Sequence, residues 1–312
     1  MSSLILFGVA NTWITPLWLV AIGSAVAVVA LLVTSGLLRL IVPKVAAIAK
    51  TTAKEALSQP LFYVILAIGI FGIILFPFIP YNTFGEDVKV VKDAGLTLIM
   101  VLSIILALWT ASVAIAEELD GRTALTLLSK PIGRRQFILG KFLGILAPVA
   151  ILFIVLGTLF LASVSYKVVY DARETANPEP TWQECRDEML QISPGLALAF
   201  METVVLTSIS VAISTRLPML ANLMICSAIY VLGNLVPVLV KSSVGQLEYV
   251  PFVANLLAAV LPVLENFNIY TAISTGRAVP LQYLGVAALY CVLYSSVAML
   301  VALLLFEDRD LA

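Results

Sequence analysis

Histidine is absent from this chain of 312 residues. That absence excludes histidine-ligated metal sites, Ser-His-Asp triads and histidine proton relays together. Charge is scarce as well: Asp, Glu, Lys and Arg make up 12% of the residues, 61% are hydrophobic, and the mean hydropathy is +1.07. A soluble domain carries about a quarter charged residues, so this composition belongs to an integral membrane protein. Cys185, Cys226 and Cys291 stand far apart with no CxxC pair, and the last two lie in apolar runs, which argues against a disulfide framework. There is no GxSxG or HExxH, so membrane-enzyme chemistry lacks its usual signatures. A net charge of −1 implies no nucleic-acid partner. The N-terminus has no basic n-region and its apolar run is too long for a cleavable signal.

What is abundant is long apolar stretches. A membrane-crossing helix needs about 20 apolar residues, and on that measure the chain is an all-α, polytopic transmembrane bundle of about seven spans, near Trp18–Val42, Leu61–Ile79, Ala94–Ala116, Phe137–Val164, Pro194–Thr215, Met219–Val240 and Leu281–Phe306. Pro77 and Pro80 stop the second span, and Pro218 separates two others in a tight hairpin. Val45–Ser58 is Ala-rich with Lys50, Lys54 and Glu55 on one side, either an amphipathic helix on the cytoplasmic membrane surface that ends before Gln59-Pro60 or a helical extension of the first span kinked at Pro43. Pro251–Asn266 is apolar but short, a half-helix, re-entrant or interfacial segment that is not counted as spanning.

Orientation follows from Lys and Arg. None precedes Arg39, which with Lys44, Lys50 and Lys54 forms one basic cluster; Arg122–Lys141 holds the next, two spans later. Cytoplasmic loops are the basic ones, so the N-terminus is expected outside and the C-terminus in the cytoplasm. Residues 165–193 are then an external loop, acidic through Asp171, Glu174, Glu179, Glu184, Asp187 and Glu188.

The polar island EELDGRTALTLLSKPIGRRQFILGK, Glu117–Lys141, carries five of the 18 basic residues and has internal design. Glu117 and Glu118 stand where a span leaves the membrane. Gly121 permits a sharp turn, Leu125, Leu127 and Leu128 interleave with Thr123 and Thr126 as a short amphipathic helix, and Lys130-Pro131 ends it. Arg122 adds to the island's charge, and Arg134 and Arg135 can reach phosphate headgroups as the next span starts. The island is either a docking element for a partner protein or simply a positive-inside loop. Elsewhere, Glu202 is the one carboxylate well inside a span, beside a polar stripe of Thr203, Thr207, Ser210 and Ser214. A charge at that depth costs about 3 kcal/mol or more and faces protein or water; Glu202 either lines a transport or proton route or is hydrogen-bonded between helices, with Asn222 and Asn234 as candidate partners. Gly140 and Gly144 form a GxxxG at a span entrance, which permits close helix approach.

An acidic residue at the end of a span followed by GRTALTLLSKPIGRRQFILGKFLG resembles the type-2 ABC transporter permease family. The matching features are Glu117 or Glu118, Gly121 with Thr123, Leu127-Leu128, Pro131-Ile132-Gly133-Arg134 and Gly140-Lys141; the ending Phe306-Glu307-Asp308-Arg309-Asp310-Leu311 and the run Lys54-Glu55-Ala56-Leu57 resemble the family too. The resemblance covers 45–312. Residues 1–44 are then an extra N-terminal helix ahead of a six-span core, and 117–137 a cytoplasmic coupling loop. The resemblance implies an ATP-dependent transporter, more commonly an exporter, in a bacterial cytoplasmic membrane. It implies a dimer with a second copy or relative and a separate P-loop ATPase docked on Glu117, Glu118, Gly121, Arg122, Thr123, Leu125, Leu127, Leu128, Pro131 and Arg134. The chain would bind no cofactor or metal and hold no catalytic residue, ATP being bound by the partner. In keeping with this, Gly133–Lys141 has two residues too many for a P-loop and is followed by Phe142. Two other readings remain at this point: an ion-coupled carrier using Glu202, disfavoured by the lack of an obvious internal repeat, and a non-transporting membrane scaffold. No motif assigns a substrate.

Overall fold

The structure is a computed structural model that describes residues 12–81, 83, 86–117, 133–175, 178–241 and 261–307. The described residues are helical, with no strand among them. In chain order the helices are α1 Leu17–Ile41, α2 Pro43–Ser58, α3 Pro60–Leu75, α4 Asp87–Ala111, α5 Arg134–Glu174, α6 Trp182–Ser214, α7 Met219–Lys241, α8 Tyr270–Thr275 and α9 Leu281–Glu307. Six of them, α1, α3, α4, α5, α6 and α9, are long and apolar enough to cross a membrane. The seventh expected span is α7, 23 residues long, which reaches about 34 Å at 1.5 Å per residue.

Proline sets the breaks. Pro43 and Pro60 occupy the first turns of α2 and α3, where the missing N–H costs nothing. Pro77 sits in a 3-10 turn, Phe76–Phe78, that ends α3. Gly276, the positive-φ glycine among the described residues at φ 65°, caps α8 in the left-handed conformation that side chains disfavour.

The largest departure from the hydropathy reading concerns residues 165–193. Apolar character fades at Val164, yet α5 continues to Glu174, and α6 begins at Trp182 rather than Pro194. The acidic region is therefore two helix extensions joined across 175–181. Hydropathy marks where lipid contact stops, whereas a helix continues as long as its backbone bonds and tertiary partners hold it. Here Thr181 caps α6, its Oγ1 accepting from the Glu184 N–H at 3.4 Å, and buried ion pairs described below hold both extensions.

Packing ranks the helices. In α4 and α6, 67% of the apolar window is buried, against 0% in α1, so α4 and α6 are the inner helices and α1 the outermost. The core joins α3, α4, α5, α6 and α9 through residues such as Ile73, Ile99, Leu152, Phe160, Leu198 and Ala298. The amphipathic reading of α2 holds. Val45, Ala46, Thr52 and Ala56 are buried while Lys50, Lys54 and Glu55 are exposed. Its buried face lies on α5 at the GxxxG: a Cβ at Gly140 would stand 2.7 Å from Ile48 Cβ, and one at Gly144 2.8 Å from the Ala49 carbonyl oxygen. Only glycine admits the α2 backbone so near.

Candidate functional site

Of the ten coupling residues expected from the sequence, Glu118, Gly121, Arg122, Thr123, Leu125, Leu127, Leu128 and Pro131 lie outside the described residues. What the structure shows is the frame from which their loop departs and to which it returns. On the departing side α4 widens into a π-helical turn, Ser112–Glu117, a local form often found at functional sites. On the returning side α5 starts at Arg134, whose Nη1 donates to the Glu307 carbonyl at 3.0 Å. The Gly133 N–H donates to Gln136 Oε1 at 3.3 Å and closes the first turn. Phe137 stacks on Phe306, centroids 5.8 Å apart and planes 19° from parallel, and Lys141 Nζ lies 5.7 Å from the Phe137 centroid. Two stretches noticed separately in the sequence, the Gly133–Lys141 return and the Phe306-Glu307 ending, are thus brought together.

A small apolar core unites this end of the bundle. Ala111 and Ile115 of α4 and its extension, Phe137 and Ile138 of α5, Val211 of α6 and Phe306 of α9 are buried together. The α2 helix seats on Gly140 and Gly144 beside it. Four helices therefore converge where the loop begins and ends, as packed side chains rather than a slack tether.

A polar node lies just above. Asn222, fully buried at the start of α7, donates through Nδ2 to Ser112 Oγ at 2.7 Å and to Ser210 Oγ at 2.8 Å, and its Oδ1 accepts from Cys226 Sγ at 3.3 Å. It ties α7 and α6 to the first residue of the π turn. The sequence suggested Asn222 as a partner of Glu202, which it is not. Glu202 is buried and takes its hydrogen bond from Asn234 Nδ2 at 3.4 Å, while the same amide bonds the Tyr230 carbonyl at 3.1 Å. Glu202 lies 12 residues from the end of α6, about 18 Å along the axis, well within the apolar layer. Two residues of the stripe beside it close on their own helix: Thr203 Oγ1 donates to Ala199 O at 2.9 Å and Thr207 Oγ1 to Thr203 O at 2.6 Å, the usual way for hydroxyls to satisfy themselves in a membrane helix, while Ser210 takes the Asn222 bond and Ser214 Oγ is buried without a partner among the described residues.

The opposite end brings acidic residues of the 165–193 region together with Asp87 and Lys92, which the sequence reading did not single out. Lys167 on α5 is fully buried, 3.3 Å from Asp87 Oδ2 on α4, and lies 5.2 Å from the Tyr170 ring centroid. Thr83 also hydrogen-bonds Asp87. Lys92 on α4 is 2% exposed, pairs with Glu188 on α6 and donates to Gln191 Oε1 at 3.2 Å. Burial first, and then the Asp87 carboxylate, raise the Tyr81 phenol above its ordinary value. Carboxylate oxygens of Asp87, Asp171 and Glu174 lie within 4.8 Å of one another, but the Lys167 ammonium already supplies the positive charge at Asp87.

These features define a polytopic helical membrane protein with a charged loop framed by four helices at one end and ion-paired helix extensions at the other. Residues 46–311 match the model of the ABC-2 family transporter proteins, and the chain belongs to that family. It is a membrane permease component of an ABC transporter and not itself catalytic. A search of the curated proteins finds no match. The matched residues begin inside α2 and leave α1 out.

Proposed function

We propose that this chain is the membrane half of an ATP-driven exporter and that a separate P-loop ATPase docks on the loop 117–137. In this reading Glu117, Glu118, Gly121, Arg122, Thr123, Leu125, Leu127, Leu128, Pro131 and Arg134 form or position the docking element. The loop faces the cytoplasm, the start of α1 lies outside, and two permease chains assemble with two ATPase subunits. The observation that carries the proposal is the frame of the loop: Arg134 bonded to Glu307, Phe137 stacked on Phe306, and the π turn of α4 packed in the same core. Closure of the ATPase would press the loop against this frame and so move α4, α5 and α9 together. Basic residues at this end, and acidic ones at the far end, support the orientation.

The test is co-purification from mild detergent of the tagged full chain, as wild type and as Leu127→Asp/Leu128→Asp. A P-loop ATPase that accompanies the wild type and is lost from the double variant is the expected result. An ATPase retained equally by both would remove this loop as the docking element.

A further inference from the structure

Between α1 and the bundle runs a groove of about 670 Å3, walled by residues that include Gly23, Ala27 and Leu31 of α1, Phe153 and Gly157 of α5, and Ala197 of α6. The α1 helix is held at its two ends. Ser165 Oγ of α5 donates to the Trp13 carbonyl at 2.9 Å and Trp13 meets Tyr166 edge-on; at the far end α1 runs into α2, which is seated on α5. Between these ties no residue of α1 is buried. Small residues on facing helices normally allow them to close on one another, yet a Cβ at Gly23 would meet nothing within 4 Å.

The lining has hydroxyls but withholds them. Ser24 donates to Ala21 O at 2.9 Å, Thr34 to Leu31 O at 3.0 Å, Thr158 to Val155 O at 2.8 Å and Ser193 to Leu190 O at 3.0 Å. With their protons given to their own helices these hydroxyls keep only acceptor lone pairs for an occupant, and an unfilled cleft would forfeit the dispersion contacts of both walls. The groove follows α1 from Leu19 to Thr34, about 22 Å of helix axis. Its volume of about 670 Å3 is spread along that length, a long narrow cleft rather than a rounded chamber. The shape suits one flexible hydrocarbon chain. Charge gives the occupant a direction: Arg39, exposed, and Lys44 follow the Thr34 end, while at the other end Glu188 is ion-paired with Lys92 and Asp187 with Arg186.

We propose that this groove is a binding site for one acyl chain of an anionic membrane phospholipid, its phosphate at Arg39 and Lys44 and its tail running toward Trp18. The lipid completes the packing of α1 onto α5 and α6. It is a resident of the site and not the transported substrate. The proposal rests on the membrane location and is independent of the ATPase docking reading.

The test is native mass spectrometry of the purified full chain, titrated in mild detergent with phosphatidylglycerol and, separately, with phosphatidylcholine. The groove-filling variant is Gly23→Leu/Ala27→Phe. Its control, Val26→Phe/Val33→Phe, adds bulk at α1 positions outside the groove lining. Expected are one tightly held phosphatidylglycerol per chain in wild type and control, and its loss in the filled variant. Arg39→Gln, which leaves the groove untouched and so serves even if filling it impairs folding, should reduce the preference for phosphatidylglycerol over phosphatidylcholine roughly fivefold. Equal retention in filled and control chains, or a headgroup preference unchanged in Arg39→Gln, overturns the proposal. So does a dimer that dissociates when the groove is filled, which would make it an interface between copies.

Discussion

At the residue scale, the buried charges are the most exacting test of the structure. Lys167 is fully buried against Asp87, and breaking a buried pair leaves the other charge uncompensated, which costs on the order of 3 kcal/mol. Lys167→Met should therefore lower the thermal midpoint of the detergent-purified protein clearly, and Asp87→Asn in the same chain should restore part of the loss; two losses that simply add would show that the residues do not form a pair. Glu202 makes the opposite prediction. Its contact with Asn234 is a tie between α6 and α7 that a glutamine can keep, so Glu202→Gln should leave transport within about twofold of wild type, a change of less than about 0.5 kcal/mol in transition-state terms. Abolished transport in that variant would favour the ion-coupled carrier. Both readings were open from sequence, because depth along a helix can be counted whereas the partner across the helix interface cannot.

At the element scale, the α2–α5 contact is the one most sensitive to a single side chain. Gly144→Leu drives a Cβ to 2.8 Å from the Ala49 carbonyl oxygen, and overpacking of this kind costs about 1–3 kcal/mol. The expected result is faster proteolysis near α2 and a lower midpoint, with Gly36→Leu, where an added Cβ meets nothing within 4 Å, behaving as wild type. An unchanged midpoint in Gly144→Leu would mean that α2 is not seated on α5. Much at this scale was legible in the sequence. The apolar runs locate the spans, Pro43 and Pro60 locate the breaks, and the Gly140-Gly144 spacing locates a close approach. The polar continuations of α5 to Glu174 and of α6 back to Trp182 were not legible. Their reasons are contacts such as Lys92 with Glu188, 96 residues apart in the chain, and Lys167 with Asp87, 80 residues apart. Long-range partners of that kind leave no periodic trace in a single sequence.

At the scale of the whole molecule, the bundle has two unlike ends. One is framed by the departures and returns of a basic loop and packed as a small core of its own; the other is laced by buried ion pairs between α4, α5 and α6. An ATP-driven permease needs a force-receiving end and an end that opens, and the asymmetry suits that division. Charge pattern and the island's turn residues mark residues 117–141 in the sequence, since like charges cluster locally. The second end depends on pairing across helices and came only with the fold. The α1 helix, outside the family match, adds a peripheral wall and the apolar groove behind it.

The central claim, that a separate ATPase engages residues 117–137, is tested most directly by site-specific photocrosslinking in cells. A photoreactive residue is placed at Leu128 and, as a control, at Ala278, which is exposed at the opposite end of α9 from Glu307. The account predicts a crosslinked product from Leu128 that contains peptides of a P-loop ATPase, and none from Ala278. A crosslink of that ATPase to Ala278 and not to Leu128, or crosslinks from Leu128 to lipid alone, would contradict it.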